Sequence, residues 1–353
     1  MRPTGLATLV LFAALSACCN RLTGSAAYYR LDAATIAHLK AMRRETSASP
    51  FPGRAPGVGV RPRSILNLGD SISYSDCFIW HERTNLRRPG MLSSEGYVYF
   101  PKPWGCGQGQ TSAWGRENTP RALDRAHPEV ATILFGTNDL EEGAKDPGPF
   151  IANIRAIIDD CLKRGTIPVL LAIPPARTID PGRLAVFNEA LDALARRKEI
   201  PFIATDMLFA DHGGWPALTS DGVHPDSNRQ GTSGYDLINH VFRQLYERIE
   251  RQVIGRDPGP RKFVDHVLST TTAPDGTQVQ AIDRNGDGKT DLWRYLKGGQ
   301  VVREDYDSDF DGRIDVRWNF RNGHLVSGVE DCDRDGKLET PFIMRDGWKN
   351  ETP

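Results

Sequence analysis

The chain has 353 residues, of which 39% are hydrophobic and 8% aromatic, enough for one full-size core and a smaller second unit. Its 44 basic and 45 acidic side chains leave a formal charge of −1, and no basic cluster is dense enough to form a nucleic-acid footprint. The composition therefore argues against a nucleic-acid partner.

The first residues, MRPTGLATLVLFAALSACCN, place Arg2 before an apolar stretch that ends at Leu15. That stretch is too short to cross a bilayer and has the shape of a signal h-region. The ending Leu15-Ser16-Ala17-Cys18 resembles the lipobox of bacterial lipoproteins. The resemblance implies removal of residues 1–17 and a lipid on Cys18; with Cys19 rather than Asp next, it implies no inner-membrane retention. An ordinary cleaved signal with an incidental Cys18 is the alternative. On either reading the protein is expected to work outside the cytoplasm, and the resemblance implies an exported bacterial lipoprotein of the outer membrane or cell surface, attached to the membrane by its lipid.

Residues 18–62 are expected to form a tether. LDAATIAHLKAMRRE spaces Leu31, Ile36, Leu39 and Met42 as one helix does, and the Pro- and Gly-rich SASPFPGRAPGVGVRPR after it forbids regular structure. From residue 63 to 255 short apolar runs alternate with helical patterns. SILNLG, EVATILFG, TIPVLLAIPP and PFIATDM read as strands buried on both faces. FIANIRAIIDDCLKRG, PGRLAVFNEALDALARRKEI and GYDLINHVFRQLYERIERQVI read as amphipathic helices, the first ending at Gly165 and the second beginning at Pro181. Such alternation predicts an α/β domain with a parallel sheet covered on both faces.

The first strand breaks into Gly69-Asp70-Ser71. A strand, a tight turn and a capped helix is the plain reading; a nucleophile at the carboxyl end of a strand, where open α/β sheets place their ligands, is the functional one. Three later stretches bear on the choice: GCGQGQTS around Gly109, LFGTND with Asn138 and Asp139, and SDGVHP with Asp221 and His224. Gly69-Asp70-Ser71-Ile72, Gly109 in GQGQTS, Gly136-Thr137-Asn138-Asp139 and Asp221-Gly222-Val223-His224-Pro225 together resemble, in order, the blocks of the SGNH or GDSL hydrolases.

That resemblance implies a three-layer, flavodoxin-like fold and an ester hydrolase that needs no catalytic cofactor. It implies Ser71 as nucleophile, His224 as base, Asp221 as the group orienting His224, and an oxyanion hole made by Ser71, Gly109 and Asn138. The chemistry asks for these types: a hydroxyl needs an imidazole to take its proton, the imidazole needs a tautomer-fixing carboxylate, and the oxyanion needs donors set in place beforehand. Gly105 and Gly107 compete with Gly109 for the second block. Asp70 and Asp139 read as turn or supporting residues, His212 as a surface histidine, and Trp80, Trp104 and Trp114 as pocket walls or core. Cys77 and Cys106 each follow a block and are candidates for a disulfide in an oxidising compartment.

Beyond GRDPGPRK the helical period disappears and residues 256–353 carry a repeat of 24 residues. Its acidic runs are Asp283, Asn285, Asp287 and Asp291; Asp307, Asp309, Asp311 and Asp315; and Asp331, Asp333, Asp335 and Glu339. Gly stands at the sixth position of each run, and Asp275-Gly276, Gly298-Gly299, Asn322-Gly323 and Asp346-Gly347 supply hairpin turns between them. Oxygen ligands at positions 1, 3, 5 and 9 suit calcium, in loops that resemble the first part of an EF-hand. The twelfth position is Arg294, Trp318 or Phe342 instead of Glu, and no helices flank the loops, so structural calcium in a small β-hairpin domain is expected, not a sensor.

The resulting expectation is a lipid-anchored serine esterase acting on a small-molecule or glycan ester. A non-catalytic, calcium-stabilised adhesion or glycan-binding lipoprotein is the alternative.

Overall fold

The computed structural model describes residues 26–47, 51, 59–75, 78–79, 98–100, 104–226, 233–256, 265–284, 288–307, 312–322, 324–331, 337–338, 340–345 and 348–351. The segment carrying Cys18 lies outside them, as do Cys77 and Trp80. Among the described residues no helix is long and apolar enough to cross a membrane.

The first unit is a six-stranded sheet. Its strands are β1 (Tyr29–Arg30), β2 (Arg61–Gly69), β3 (Val98–Tyr99), β4 (Pro128–Leu134), β5 (Ile167–Leu171) and β6 (Phe202–Ile203), in the order β1-β6-β5-β4-β2-β3. The last five run parallel, in the order of the flavodoxin-like sheet, and β1 joins the edge antiparallel to β6.

Side-chain alternation along the strands builds the two cores. Leu66, Leu68, Ala131, Ile133 and Leu170 face one side, against α3 (Ser112–Ala126), α5 (Pro147–Lys163) and α6 (Pro181–Arg197). Ile65, Val130, Leu134, Val169 and Leu171 face the other, against α1 (Ala33–Thr46) and α8 (Gly234–Ile249). Three shorter helices, α2 (Ser71–Tyr74), α4 (Thr137–Glu141) and α7 (Thr205–Asp211), leave the carboxyl ends of β2, β4 and β6.

Two segments differ from their expected roles. Helix α1, expected in a tether, buries Leu39 and Met42 in the second core, and the chain before it pairs with β6, so both belong to the folded body. PFIATDM is strand only at Phe202–Ile203; Thr205 opens α7 and its hydroxyl donates to the Ala172 carbonyl at 2.6 Å.

The second unit is an eight-stranded antiparallel meander from β7 (His266–Thr272) through β8 (Gln278–Asp283), β9 (Leu292–Lys297), β10 (Gln300–Tyr306), β11 (Val316–Arg321), β12 (His324–Glu330) and β13 (Thr340–Arg345) to β14 (Trp348–Glu351). Positive φ at Gly276, Gly298, Gly299 and Asn322 makes the hairpin turns. Arg61, at the start of β2, donates to the Asp331 carbonyl of this unit.

Candidate active site

Strand order puts the site at a switch point. β3 lies on one side of β2 and β4 on the other, so the loops leaving β2 and β4 diverge and open a crevice at their carboxyl ends. Ser71 follows β2 and Asn138 follows β4.

Ser71 is the first residue of α2. Asp70 caps that helix by accepting the Ile72 N–H at 3.0 Å, which leaves the N–H of Ser71 as one of the first-turn donors without an intrahelical partner. The turn is tight: a Cβ on Gly69 would stand 2.1 Å from Ser73 Oγ and 2.5 Å from the Leu134 carbonyl, so only glycine fits. From α8, Tyr235 donates to the Ile72 carbonyl at 3.2 Å and ties α2 to the second core.

His224 reaches Ser71 from the loop between α7 and α8. Its Nε2 lies 2.9 Å from Ser71 Oγ and its Nδ1 lies 2.7 Å from Asp221 Oδ2. Asp221 Oδ1 also accepts the backbone N–H groups of Val223 and His224, at 2.8 and 2.7 Å. The His224 N–H above all, then the His224 ring and the Val223 N–H, holds this carboxyl well below the usual carboxylate range even though the residue is exposed. The loop is fixed from outside at Gly222, whose carbonyl accepts the Arg177 N–H at 2.7 Å and Trp215 Nε1–H at 3.1 Å.

The second and third blocks meet at the same edge. The chain at Gly105–Gly107 runs beside the end of β2, with Gly69 N–H bonded to the Gly105 carbonyl and Gly107 N–H to the Gly69 carbonyl, at 3.0 and 3.1 Å. Gly109 follows with φ of +68° and open space around its would-be Cβ, so its requirement is conformational and not one of crowding within the chain. Asn138 Nδ2 donates to the Gln110 carbonyl at 3.0 Å, which joins the two blocks directly. Gly136, at φ of +128°, sets the turn into α4; a Cβ there would come within 2.3 Å of Ile173 Cδ1.

The remaining candidates sort by burial. Asp70 is fully buried, and burial pushes its carboxyl up to about 7 against the lowering effect of the Ile72 N–H and of His224. Cys106 is buried and its thiol donates to the Asn67 carbonyl. Trp104 is buried and stacked on Phe100, with Arg125 over its ring, whereas Trp114 is half-buried against the first core. His212 is half-buried at the end of α7, with Nδ1 2.7 Å from the Leu208 carbonyl. Asp139, expected as a turn or supporting residue, grips Ser112 at the start of α3 by both N–H and hydroxyl; the contact itself was not foreseen. A helix at residues 112–126 would have been the signal.

In the second unit, five of the twelve acidic-loop candidates are described: Asp283, Asp291, Asp307, Asp315 and Asp331, each at most 4% exposed. Asp283 accepts the Gly288 N–H at 2.8 Å and Asp307 the Gly312 N–H at 2.7 Å, so position 1 of each loop folds onto its glycine at position 6. Asn285, Asp287, Asp309, Asp311, Asp333, Asp335 and Glu339 lie outside the described residues. Among the described residues no three His, Cys, Asp or Glu side chains are grouped as a metal centre.

Residues 68–228, which hold all four blocks, match the model of the GDSL-like Lipase/Acylhydrolase family. This stretch is therefore similar to GDSL-type acylhydrolases. The isoamyl acetate-hydrolyzing esterase of Saccharomyces cerevisiae is 27% identical over 164 residues, 40% of this chain and 66% of that enzyme. A GDSL-like lipase from Bacteroides thetaiotaomicron is similar over 60% of this chain and 98% of its own, at 21% identity and a TM-score of 0.42. A lipase/acylhydrolase from Enterococcus faecalis is similar over 56% of this chain and 98% of its own, at 17% identity and a TM-score of 0.44.

Proposed function

We propose that this protein is a serine ester hydrolase working through an acyl-enzyme on Ser71. The observation that carries the reading is the unbroken relay from Asp221 Oδ2 through both His224 nitrogens to Ser71 Oγ, with links of 2.7 and 2.9 Å. Ser71 Oγ attacks the ester carbonyl carbon as its proton passes to His224 Nε2, and Asp221 holds the ring in the required tautomer. The carbonyl oxygen becomes an oxyanion that accepts the N–H groups of Ser71 and Gly109 and one N–H of Asn138. The bond to the alcohol then breaks, His224 returns its proton to the departing oxygen, and the acyl group stays on Ser71. Water repeats the sequence: its proton goes to His224, its oxygen attacks the acyl carbon, and the acid leaves as Ser71 regains its proton.

The substrate class follows from less. A short acyl group on an envelope or extracellular glycan or lipid ester agrees with the signal-like start, the lipobox at Cys18 and the short acetyl ester in the yeast relative's name. In the same reading the acidic repeats bind structural calcium. Oxygen donors at positions 1, 3, 5 and 9 of a loop repeated three times suit that hard ion. Asp283, Asp291, Asp307, Asp315 and Asp331 would contribute to its sites, and the ion's role would be structural rather than chemical.

The test is covalent labelling. A fluorophosphonate should modify the protein once, with the adduct on the peptide containing Ser71, and Ser71→Ala should take up none. Equal labelling of both proteins would remove the nucleophile assignment.

A further inference from the structure

Two of the oxyanion donors, Gly109 and Asn138, belong to segments that share neither a strand nor a helix, yet an oxyanion hole tolerates little misplacement. The residues between them show what fixes their spacing. Asp139 Oδ2 accepts the Ser112 N–H at 2.9 Å, and Asp139 Oδ1 accepts the Ser112 hydroxyl at 2.6 Å. Thr111, the residue in the N-cap position of α3, makes no side-chain capping bond, so Asp139 caps that helix from α4. Asn153 Nδ2, from α5, donates to Ser112 Oγ at 3.1 Å and fixes the hydroxyl's direction.

One residue earlier, Asn138 spends one amide hydrogen on the Gln110 carbonyl and keeps the other for the oxyanion. Adjacent residues of α4 thus hold residues 110 and 112, directly beyond Gly109. α4 itself is a helix of 5 residues entered through the positive-φ Gly136 and has little rigidity of its own. The two-point, charge-assisted grip of Asp139 on Ser112 is the strongest link across this junction.

We propose that Asp139 is a positioning residue of the oxyanion hole: it clasps Ser112 so that Gly109 N–H and Asn138 Nδ2–H converge on one point, and it acts on catalysis without touching substrate. The proposal rests on the serine-hydrolase reading above. Asp139→Asn keeps the size but exchanges one carboxylate oxygen for an amide donor, so Ser112 loses the charge-assisted grip on both its N–H and its hydroxyl. Its kcat on a short nitrophenyl ester should fall by about 10–100-fold while KM stays within about twofold.

Affinity for a boronic acid, whose tetrahedral adduct places an oxygen in the hole, should weaken by a similar factor, with the melting temperature lowered by no more than a few degrees for the weakened cap. Ser112→Ala, which keeps the N–H link, should show a smaller loss of the same kind. The double variant should be no worse than Asp139→Asn alone, because both changes break one linkage. If Asp139→Asn folds poorly, Ser112→Ala alone carries the test through kcat and boronate affinity. Wild-type kcat in Asp139→Asn, or a loss of kcat with unchanged boronate affinity, would overturn the proposal and leave the esterase reading intact. An inactive wild-type chain that also refuses the boronate would overturn both.

Discussion

His224 Nε2 stands 2.9 Å from Ser71 Oγ although 153 positions separate the two residues. The sheet makes the meeting possible: β2 delivers Ser71 to the carboxyl edge, and the loop before α8 brings His224 back to it after the chain has crossed β4, β5 and β6. The Asp221 carboxylate completes the line from the solvent side.

Asp221→Asn should retain the fold and substrate binding while losing kcat by roughly 10³–10⁴-fold near pH 7, because an amide cannot enforce the tautomer that leaves Nε2 basic. The same carboxylate is held well below its usual range by the His224 N–H and its other donors, so it stays ionised through the mildly acid region. The acid limb of the wild-type rate profile above pH 4 is therefore not its titration. Steady-state kinetics from pH 4 to 9 on both proteins check this; an acid limb that vanishes in the variant with kcat preserved would contradict it.

Asn138→Ala removes a side-chain donor to the oxyanion and the link to the Gln110 carbonyl together. kcat should fall by about 10²–10³-fold with a small change in KM. Rates over a substrate range separate the two parameters, and a rise in KM alone would assign Asn138 to ground-state binding.

Asp70 gives a stability prediction of defined sign. Its folded-state value of about 7 lies above the ordinary 3.8 because the carboxyl is buried. Between those values the folded protein keeps a proton that the unfolded chain releases, so this group's contribution is fully present below the lower value and is lost as pH rises through about 7. Asp70→Asn keeps a capping side chain without the titration. Its melting temperature relative to wild type should increase steadily from pH 4 to 7.5, and a constant difference across that range would contradict the assignment.

Calcium should raise the thermal transition of the repeat unit, by mass action about 2.7 kcal/mol per site at a hundredfold excess over Kd. Ester hydrolysis should not depend on it. Calorimetry of the full chain with calcium and with a chelator tests the first point, and a chelator-insensitive transition would contradict it.

Ser71, Asn138, Asp221 and His224 stood out in the sequence through the resemblance of their blocks to a known family, and the structure brings Ser71, His224 and Asp221 into hydrogen-bonding contact. The hairpin turns were legible because positive φ selects Gly and Asn. Helix α3 was illegible for a physical reason. Its buried face is Ser112, Gly115, Thr119, Ala122, Leu123 and Ala126, mostly small residues with little hydrophobic period, and Pro120 stands inside it. Close packing explains that face: a Cβ on Gly115 would lie 2.6 Å from the Phe135 ring. Helix α1 showed its period in Leu39 and Met42, but periodicity says which face is apolar and not what covers it.

The most direct measurement is hydrolysis of nitrophenyl acetate by the protein and by its Ser71→Ala variant, side by side at pH 7.5. A serine hydrolase predicts turnover in the first and a fall to near background in the second. Equal rates in the two proteins, or none in either across acetyl to octanoyl esters, would contradict it and favour a binding role for the same scaffold.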